Sequence, residues 1–560
     1  MASSKVDPAE LAGWDAVETA DRIRAKDVTV AEVVEAAIAR AEDVADLGAV
    51  VTPLYERART AAASRAHADG APFAGVPTFI KDLARVGGAR VTWGSRATHD
   101  HVARASDPLV RHVERLGMVV LGKSATPELG LTATTEPVGR APCRNPWDPT
   151  RSAGGSSGGA AALVAAGVVP IAHGSDGGGS IRIPASCCGL VGFKPSRLRL
   201  DMAGSRSLPV NVACDGVLTR SVRDTAAFFQ ALEASGVGSR RLPSVGPVGE
   251  RPPRTLRIGL FVDAPTGTPV DVEVQDAARD AGALCRTLGH QVEAIACPFE
   301  GSLIDDFLRY WGFIAWVQAA LGRVLMTRRF DRSMLEPWTT GLAHHFAGDK
   351  RAALRSIRRL RAFPRAFARV MEAYDVLVSP TLAEPAPAIG YLATDLPFDV
   401  TFARVRTYAP FTPLYNAAGA PGDRAPARAQ RLGIAHRRAI RSEARHRSHA
   451  ARARALDRGR EALAPRRAHS AVTSRSSNDV TASARVARPT LPPVRDQSTA
   501  SSARAPSQST PMRSPRVRTD SACHTCGVTR AGAAATSRSS PARTCTRRTT
   551  PSSASARATK

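Results

Sequence analysis

A glycine-rich segment, GSDGGGSIRIPAS, runs from Gly174 to Ser186 and places a serine, Ser180, directly after three glycines. Glycines in such a run let backbone N–H groups turn toward one point, because no Cβ stands in the way. That arrangement can bind an anion, or it can stabilise the oxyanion that forms when a serine attacks a carbonyl group. The segment therefore predicts either a phosphate-binding loop or a loop that presents a nucleophile.

The usual motifs of both classes are incomplete here. Neither G-x-x-x-x-G-K-[ST] nor G-x-G-x-x-G is intact, and Arg182 does not take the place of a phosphate-binding lysine. Ser180 lacks the second glycine of the G-x-S-x-G turn, which argues against a Ser-His-Asp hydrolase of that type. His173 lies just upstream on a predicted strand, where a packed side chain is a commoner role than a catalytic base.

A longer segment gives a third interpretation. The stretch RSAGGSSGGAAALVAAGVVPIAHGSDGGGSIRIPASCCGLVGFKP, from Arg151 to Pro195, resembles the defining segment of the amidase signature family. Flanking segments follow in the order of that family: GVPTFIKDLARVGGARVTWGS, VVLGKSATPELG, GVLTRSVRDTA, YDVLVSPT and APFTPLYNAAGAP. The resemblance covers Glu10 to Pro421 and is closest to the branch of cyclic nylon-oligomer hydrolases and broad bacterial amidases.

The resemblance implies a set of catalytic residues. Ser180 matches the nucleophile, Ser156 the bridging serine that follows a cis Gly155–Ser156 peptide bond, and Lys81 the base. Amide hydrolysis needs an activated nucleophile, a proton donor for the leaving amine and a stabilised oxyanion. Lys81 must be uncharged to accept a proton near neutral pH, and the apolar run PTFIKDL around it could lower its pKa by burial.

The same resemblance assigns the remaining residues of the loop. The backbone N–H groups of Gly177, Gly178 and Gly179, together with that of Ser180, would form the oxyanion hole. Asp176 and Arg182 are interpreted as structural residues that hold the loop by hydrogen bonds and charge.

Three further features of the sequence bear on the site. Cys187 and Cys188 are adjacent, which suits neither a disulfide nor tetrahedral metal ligation, so we expect core thiols. H-E-x-x-H and paired C-x-x-C motifs are absent from the sequence, and no metal or other cofactor is expected. The run DDFLRYWGFIAWVQAAL could bring Trp311 and Trp316 to the acyl pocket, although a helix that packs into the core is the commoner alternative.

Alternating helical and strand patterns position these residues. Helical periodicity runs through AELAGWDAVETADRIRAK, VAEVVEAAIARAEDV and VQDAARDAGALCRTLGH, while GMVVLGK, VVPIAHGSD, LRIGLFVDA and YDVLVSPT read as strands. We therefore expect an α/β amidase signature fold: a mixed twisted sheet with helices on both faces. We predict an N-terminal helical layer over 1–70, a catalytic domain over 71–420 and a basic, disordered tail over 421–560.

Composition and charge restrict the partners. The formal net charge of the 560 residues is +27, but Pro421 to Lys560 hold 29 Lys and Arg against 7 Asp and Glu, which leaves only +5 for the first 420. The N-terminal residues form no apolar leader, and no apolar run reaches the ~18 residues of a membrane span. We expect a cytoplasmic enzyme with reduced cysteines and a small-molecule amide substrate, without membrane or nucleic-acid partners, and a homodimer is left open.

Two other functions remain as alternatives. One member of the family is the amidase subunit of the tRNA-dependent amidotransferase, and its partner subunits would distinguish it. A second alternative, from another class, is a nucleic-acid-binding protein that uses the basic tail as an arm.

The tail itself departs from the family pattern. After NAAGAP the family continues with an apolar strand-forming segment, whereas this chain continues with GDRAPARAQRLGIAHRRAIRSEARHR, rich in Arg and Ala. The segment from Leu432 to Arg441, LGIAHRRAIR, can be encoded so that a one-base shift reads SGLPIGAQF, which matches the missing family segment. We infer a single-base frameshift near Pro421, in which case Cys523 and Cys526 are not half of a zinc site.

Sequencing the gene tests this hypothesis. We expect the alternative frame after Pro421 to be open and to encode the apolar C-terminal pattern of the family. An alternative frame that is open but lacks that pattern would establish a natural basic extension instead. A frameshift present in the organism removes a strand and its closing helices, so insoluble or inactive protein is then expected.

Overall fold

The computed structural model describes residues 7–64, 70–98, 101–200, 202–238, 242–245 and 254–420. The basic tail, 421–560, lies outside the described residues, and so do the predicted disorder, the frameshift and Cys523 and Cys526. The division of the chain at residue 70 stays a prediction.

The helices of the described residues include those predicted from periodicity, which appear here as α2, α3 and α9. No helix in this part of the chain combines the length and apolar character that crossing a lipid bilayer requires. The helices are α1 (Pro8–Leu11), α2 (Ala16–Ala25), α3 (Val30–Asp43), α4 (Tyr55–Ala63), α5 (Pro108–Arg115), α6 (Gly158–Ala165), α7 (Arg182–Cys188), α8 (Val222–Ala234), α9 (Val272–Thr287), α10 (Ser302–Leu325), α11 (Pro337–Ala347), α12 (Lys350–Ala373), α13 (Phe398–Tyr408) and α14 (Thr412–Ala417).

The strands include the four predicted from β-rich runs, which appear here as β5, β8, β11 and β13. The strands are β1 (Val50–Pro53), β2 (Pro77–Lys81), β3 (Arg90–Val91), β4 (His101–Val102), β5 (Val119–Ser124), β6 (Arg144–Asn145), β7 (Asp148–Ser152), β8 (Ile171–Asp176), β9 (Val191–Gly192), β10 (Cys214–Thr219), β11 (Arg257–Leu260), β12 (Gln291–Ala294) and β13 (Val376–Val378).

The first sheet is mixed and has the strand order β1-β5-β2, with β1 antiparallel and β2 parallel to β5. Every residue of β2 and β5 is buried, because helices cover both faces. On one face Phe79 and Leu121 share a hydrophobic cluster with α3 and α6, and on the other Ile80 and Val120 share one with α5 and α8. The predicted α/β class, with helices on both faces of a mixed sheet, is confirmed.

The second sheet, β8-β10-β9, is antiparallel and carries the glycine-rich loop at the end of β8. Its register places Val217 opposite His173 and Asp215 opposite Ser175. In the described part of the chain, β2 and β8 belong to different sheets. Thr78 Oγ1 donates a hydrogen bond to the carbonyl oxygen of Ile171 at 3.0 Å, so side chains connect the two sheets at this point.

The third sheet, β12-β11-β13, is parallel. The connection from β11 through α9 to β12 is a βαβ unit, and Ala278, Ala281 and Cys285 of α9 pack on the sheet in one buried cluster. Two short antiparallel pairs, β3-β4 and β6-β7, complete the strands of the described residues. The strands of the described residues thus form five small sheets.

The N-terminal helices are fixed by well-formed caps. Thr29 and Glu32 form a capping box at the start of α3, and Asp15 caps α2 by accepting the N–H of Glu18. The buried carboxylate of Asp224 in α8 accepts the N–H groups of Ala16 and Val17. These contacts hold the helical layer against the body of the fold.

Candidate active site

Lys81 is the last residue of β2, and its side chain is completely buried. Three hydroxyl oxygens surround its amine: Nζ lies 2.7 Å from Ser156 Oγ, 2.9 Å from Ser157 Oγ and 3.1 Å from Ser175 Oγ. None of the hydrogen bonds of this amine within the described residues goes to a carboxylate. The structure therefore brings Lys81 and Ser156, two of the three predicted catalytic residues, into direct contact.

The charge state of Lys81 follows from this environment. Burial lowers the pKa of Lys81 to about 7, although the nearby carboxylates of Asp176 and Asp215 oppose the shift by favouring the ammonium form. At neutral pH a substantial fraction of the amine is therefore uncharged. An uncharged amine has a free electron pair and can accept a proton.

Ser156 lies just before α6 and is buried. The peptide bond between Gly155 and Ser156 is cis, as the family resemblance implies. The next residue, Ser157, donates its backbone N–H to the carbonyl oxygen of Ser180 at 3.2 Å. The two serine-bearing segments are thus joined beside the lysine.

Ser180 lies in the loop between β8 and α7, and 7% of its surface is exposed. Its hydroxyl forms no hydrogen bond within the described residues, to Ser156 or to any other group. Hydrogen bonds between catalytic groups often have long distances when no substrate is bound, and these distances shorten in the reacting complex. The structure therefore leaves the Ser180 hydroxyl available beside the Lys81–Ser156 pair.

The three glycines before Ser180 have different roles. Gly179 has φ +137°, and an added Cβ would lie 2.3 Å from Thr412 Oγ1, so only glycine fits there. Its N–H donates to Asp176 Oδ1 at 2.8 Å and is already engaged. Within the described residues the N–H groups of Gly177, Gly178 and Ser180 have no acceptor. The predicted role of Gly179 as an oxyanion donor is therefore not supported by its hydrogen bonding.

Asp176 and Arg182 form a buried ion pair that holds this loop. Arg182 Nε and Nη2 each donate to the carboxylate of Asp176 at 2.9 Å, which fits the predicted structural role. Burial raises the pKa of Asp176, but the charge and hydrogen bonds of Arg182 outweigh it and hold that pKa well below its usual range. Asp176 is therefore ionised and able to accept the N–H groups of the loop.

Helix α14 supports the loop from the opposite side. Thr412 Oγ1 donates to the carbonyl oxygen of Gly178 at 2.6 Å, and its own carbonyl oxygen accepts from Arg182 at 3.0 Å. Asn416 Nδ2 donates to Asp176 Oδ1 at 2.9 Å. Contacts between residues more than 200 positions apart thus fix the backbone next to the nucleophile.

Two aromatic rings of α10 cover the glycines. Phe307 and Trp311 are stacked with ring centroids 5.7 Å apart, and Phe307 packs on Gly178. An added Cβ at Gly177 would lie 2.7 Å from the Trp311 ring. Trp311 therefore lies at the site, as one of the two interpretations predicted, whereas Trp316 is 42% exposed on the surface.

Cys187 and Cys188 are buried thiols that form no disulfide within the described residues, as predicted. Burial raises the pKa of Cys188 well above its usual range, which makes it a poor nucleophile. Their role in the described structure is core packing behind the loop.

Several residues at the site were missed by sequence reasoning. Ser157 and Ser175 contact the amine, while Thr412 and Asn416 support the loop. The doublet of serines in GGSSGG and the short polar run SD at the end of β8 were available signals for the first two. The residues of α14 offered no local signal, because their role depends on a tertiary contact.

A comparison with protein-family models matches the model described as Amidase over residues 32–435. That range is well over half of the chain. It includes Lys81, Ser156 and Ser180 and all the residues that surround them in the structure.

Named proteins of similar sequence agree. The chain is 44% identical over 415 residues to "Putative amidase AmiC" of Mycobacterium tuberculosis (strain ATCC 25618 / H37Rv). The aligned region covers 73% of this chain and 87% of that protein. It is 35% identical over 409 residues to 6-aminohexanoate-cyclic-dimer hydrolase of Paenarthrobacter ureafaciens, and that alignment covers 68% of this chain and 79% of the hydrolase. A solved structure of 6-aminohexanoate cyclic dimer hydrolase complexed with substrate superposes with a TM-score of 0.64 at 31% identity, covering 73% of this chain and 89% of that one.

The lowered pKa of Lys81 predicts a distinctive dependence of stability on pH. Folded Lys81 titrates near pH 7 and an ordinary lysine near 10.5, so between these values the unfolded chain binds more protons. The free energy of unfolding of the wild type should therefore rise across this window, relative to Lys81→Met, by up to about 1.4 kcal/mol per pH unit. Urea unfolding of the full chain and the variant at several pH values between 7 and 10 measures this difference.

The control for that experiment is Lys350→Met, which removes an exposed lysine at the start of α12. Its free energy of unfolding should run parallel to that of the wild type over the same pH range. Parallel curves for Lys81→Met and the wild type would instead mean that the folded chain keeps Lys81 charged.

Proposed function

The chain belongs to the amidase signature family, whose members hydrolyse carbon–nitrogen amide bonds, and on that premise we propose that Ser180, Ser156 and Lys81 act together in an acyl-enzyme mechanism. The observation that carries this proposal is the contact of 2.7 Å between a completely buried Lys81 amine and Ser156 Oγ, beside an unengaged Ser180 hydroxyl. The products are a carboxylic acid and an amine or ammonia.

The hydrogen bonds around Lys81 support an uncharged amine as the resting base. A neutral amine has two N–H donors and one electron pair, and three serine hydroxyls surround it. The hydroxyl of Ser157 donates to the carbonyl oxygen of Ser175 at 3.3 Å, so it accepts from Lys81. With Ser175 Oγ as the second acceptor, the electron pair is left to receive the proton of Ser156.

The first step forms the acyl-enzyme. Ser180 Oγ attacks the amide carbonyl carbon while its proton passes to Ser156, whose own proton passes to Lys81 Nζ. The negative charge on the carbonyl oxygen is stabilised by the N–H groups of Gly177, Gly178 and Ser180, the three that have no other acceptor in the described structure. When the C–N bond breaks, the proton returns from Lys81 through Ser156 to the leaving nitrogen.

Hydrolysis of the acyl-enzyme repeats the same proton path with water as the nucleophile. Water attacks the ester carbonyl and its proton passes through Ser156 to Lys81. The ester bond then breaks and Ser180 Oγ takes the proton back. Each half-reaction begins and ends with an uncharged Lys81, so the activity requires the deprotonated form.

The aromatic rings beside the oxyanion donors point to the kind of acyl group. Phe307 and Trp311 cover Gly178 and Gly177, so a carbonyl group bound there lies next to apolar ring faces. A substrate with an apolar or aromatic acyl group gains contact area with these rings. We propose such amides as the substrate class, with cyclic amides included because a cyclic-dimer hydrolase is among the relatives.

No observation in the described residues favours the amidotransferase subunit or a nucleic-acid-binding protein. The basic tail on which the second alternative rests lies outside the described residues. Amide hydrolysis is therefore the function that the site supports best.

The proposed function is tested by screening linear, aryl and cyclic amides with Ser180→Ala as the comparison. Both the chain as printed and the chain with the frame restored after Pro421 are assayed. We expect turnover of amides with apolar acyl groups by at least one of the two, a loss of at least about a thousandfold in Ser180→Ala, and no loss in Ser333→Ala, which changes an exposed serine of the same chain.

The dependence on pH gives a second readout of the same experiment. Because only the uncharged form of Lys81 accepts a proton and its pKa is about 7, kcat/KM should rise as the pH increases through 7 and then level off. Amide turnover that survives in Ser180→Ala would contradict the proposed nucleophile. The absence of turnover from both chains, with every amide, would contradict the proposed function.

A further inference from the structure

The backbone of Lys81 is held by a side chain of another sheet. β2 and β8 pass each other without a backbone ladder in the described structure, and Lys81 N–H donates to His173 Nδ1 at 3.3 Å. Thr78 Oγ1, three residues earlier on β2, donates to the carbonyl oxygen of Ile171, and the Lys81 amine contacts Ser175 of β8. The histidine ring thus accepts the N–H of the very residue whose amine lies in the active site.

The other nitrogen of the ring is held as well. His173 is only 2% exposed, and its Nε2 lies 3.2 Å from Asp215 Oδ1 on the neighbouring strand β10. A carboxylate accepts a hydrogen bond, so Nε2 carries the proton, while Nδ1 accepts from Lys81 and carries none. The two contacts therefore fix both the tautomer and the orientation of the ring.

We propose that His173, oriented by Asp215, is a positioning residue that sets the Lys81 amine against Ser156 for the amide hydrolysis proposed above. The chain of contacts runs from the Asp215 carboxylate through the ring to the Lys81 backbone, so a change at either end moves the end of β2. A displacement of 1 Å at a reacting group can cost on the order of 100-fold in rate. His173 itself touches no substrate and transfers no proton in this account.

Asp215 has a second effect, which is electrostatic. Asp215 lies opposite Ser175 in the register of β8 and β10, and Ser175 Oγ is 3.1 Å from the Lys81 amine. The negative charge of Asp215 therefore favours the ammonium form of Lys81 and partly offsets the effect of burial on the pKa of that lysine. The elements packed around Lys81 carry two ion pairs and one further carboxylate. Asp82, after β2, pairs with Lys123 of β5 at 2.6 Å, and Asp176 of β8 pairs with Arg182 of α7. The further carboxylate is that of Asp215 of β10, which contacts His173. Asp176 and Asp215 are the two carboxylates whose charge raises the pKa of Lys81, and Asp176 is also paired with Arg182.

Two substitutions of the histidine separate positioning from simple packing. His173→Phe keeps a buried ring but removes both hydrogen bonds, whereas the side-chain oxygen of His173→Asn can take the place of Nδ1 as acceptor of the Lys81 N–H. We expect kcat/KM to fall by about 100-fold in His173→Phe and to recover at least about tenfold in His173→Asn. The assay uses whichever full chain, as printed or with the frame restored, turns over an amide.

The matched control is His290→Phe. His290 Nδ1 accepts the backbone N–H of Leu256 at 3.3 Å, the same kind of contact in the third sheet. We expect it to leave kcat/KM unchanged within about twofold. Full activity in a folded His173→Phe protein, or equal losses in folded His173→Phe and His173→Asn proteins, would overturn the positioning role. The proposed function is decided separately, by the amide screen with the wild-type chains and Ser180→Ala.

Asp215→Asn tests the electrostatic part without depending on turnover. The asparagine oxygen still accepts from His173 Nε2–H, but the negative charge is gone, so the titration midpoint of Lys81 should move to lower pH. Lysine-selective NMR follows that midpoint directly, and the acid side of the kcat/KM profile should move with it. A midpoint that is unchanged, or that moves to higher pH, would overturn this role of Asp215.

Discussion

The chemistry of the site begins with the burial of one amine, which no carboxylate contacts within the described residues. Lys81 lies at the end of a strand that helices cover on both faces, and its hydrogen-bond partners are serine oxygens and one carbonyl oxygen. Removing an ammonium ion from water is costly, so the amine responds by losing its proton more easily. Hydroxyl groups tolerate both forms, because each can donate or accept. The fold thereby produces a base from a residue that is ordinarily an acid.

Asp176 follows Ser175, whose hydroxyl contacts the Lys81 amine, and this carboxylate keeps its charge although it is buried. The Asp176 carboxylate is as deeply buried as the lysine, yet it stays charged because Arg182 and Asn416 bind it directly. Its charge holds the loop, since it accepts the N–H of Gly179, whereas the N–H groups of Gly177 and Gly178 have no acceptor within the described residues. The site thus contains a lysine whose pKa is lowered and an aspartate whose pKa is lowered as well, because their hydrogen-bond partners differ.

Much of this site could be predicted from the sequence, because its chemistry lies in local motifs. The glycine-rich loop, the serine pair of GGSSGG and the lysine in an apolar strand each carried a local pattern, and together they indicated the family. The contact of Lys81 with His173 could not be predicted, because it joins residues 92 positions apart on strands of different sheets. The engagement of Gly179 N–H and the placement of Trp311 likewise depend on tertiary packing. Strand periodicity predicted the main strands but not how they divide into small sheets, since that depends on which edges meet.

Titration of the Lys81 amine measures its lowered pKa most directly. The chain contains seven lysines, so lysine-selective 13C labelling gives few NMR signals, and Lys81→Met identifies the one that belongs to the site. Because the amine is buried, this signal should titrate with a midpoint near pH 7, well below the ordinary lysine value of 10.5. A Lys81 midpoint near 10.5 would contradict the proposed base, because the buried amine would then be an ammonium ion at neutral pH and could not accept the proton of Ser156.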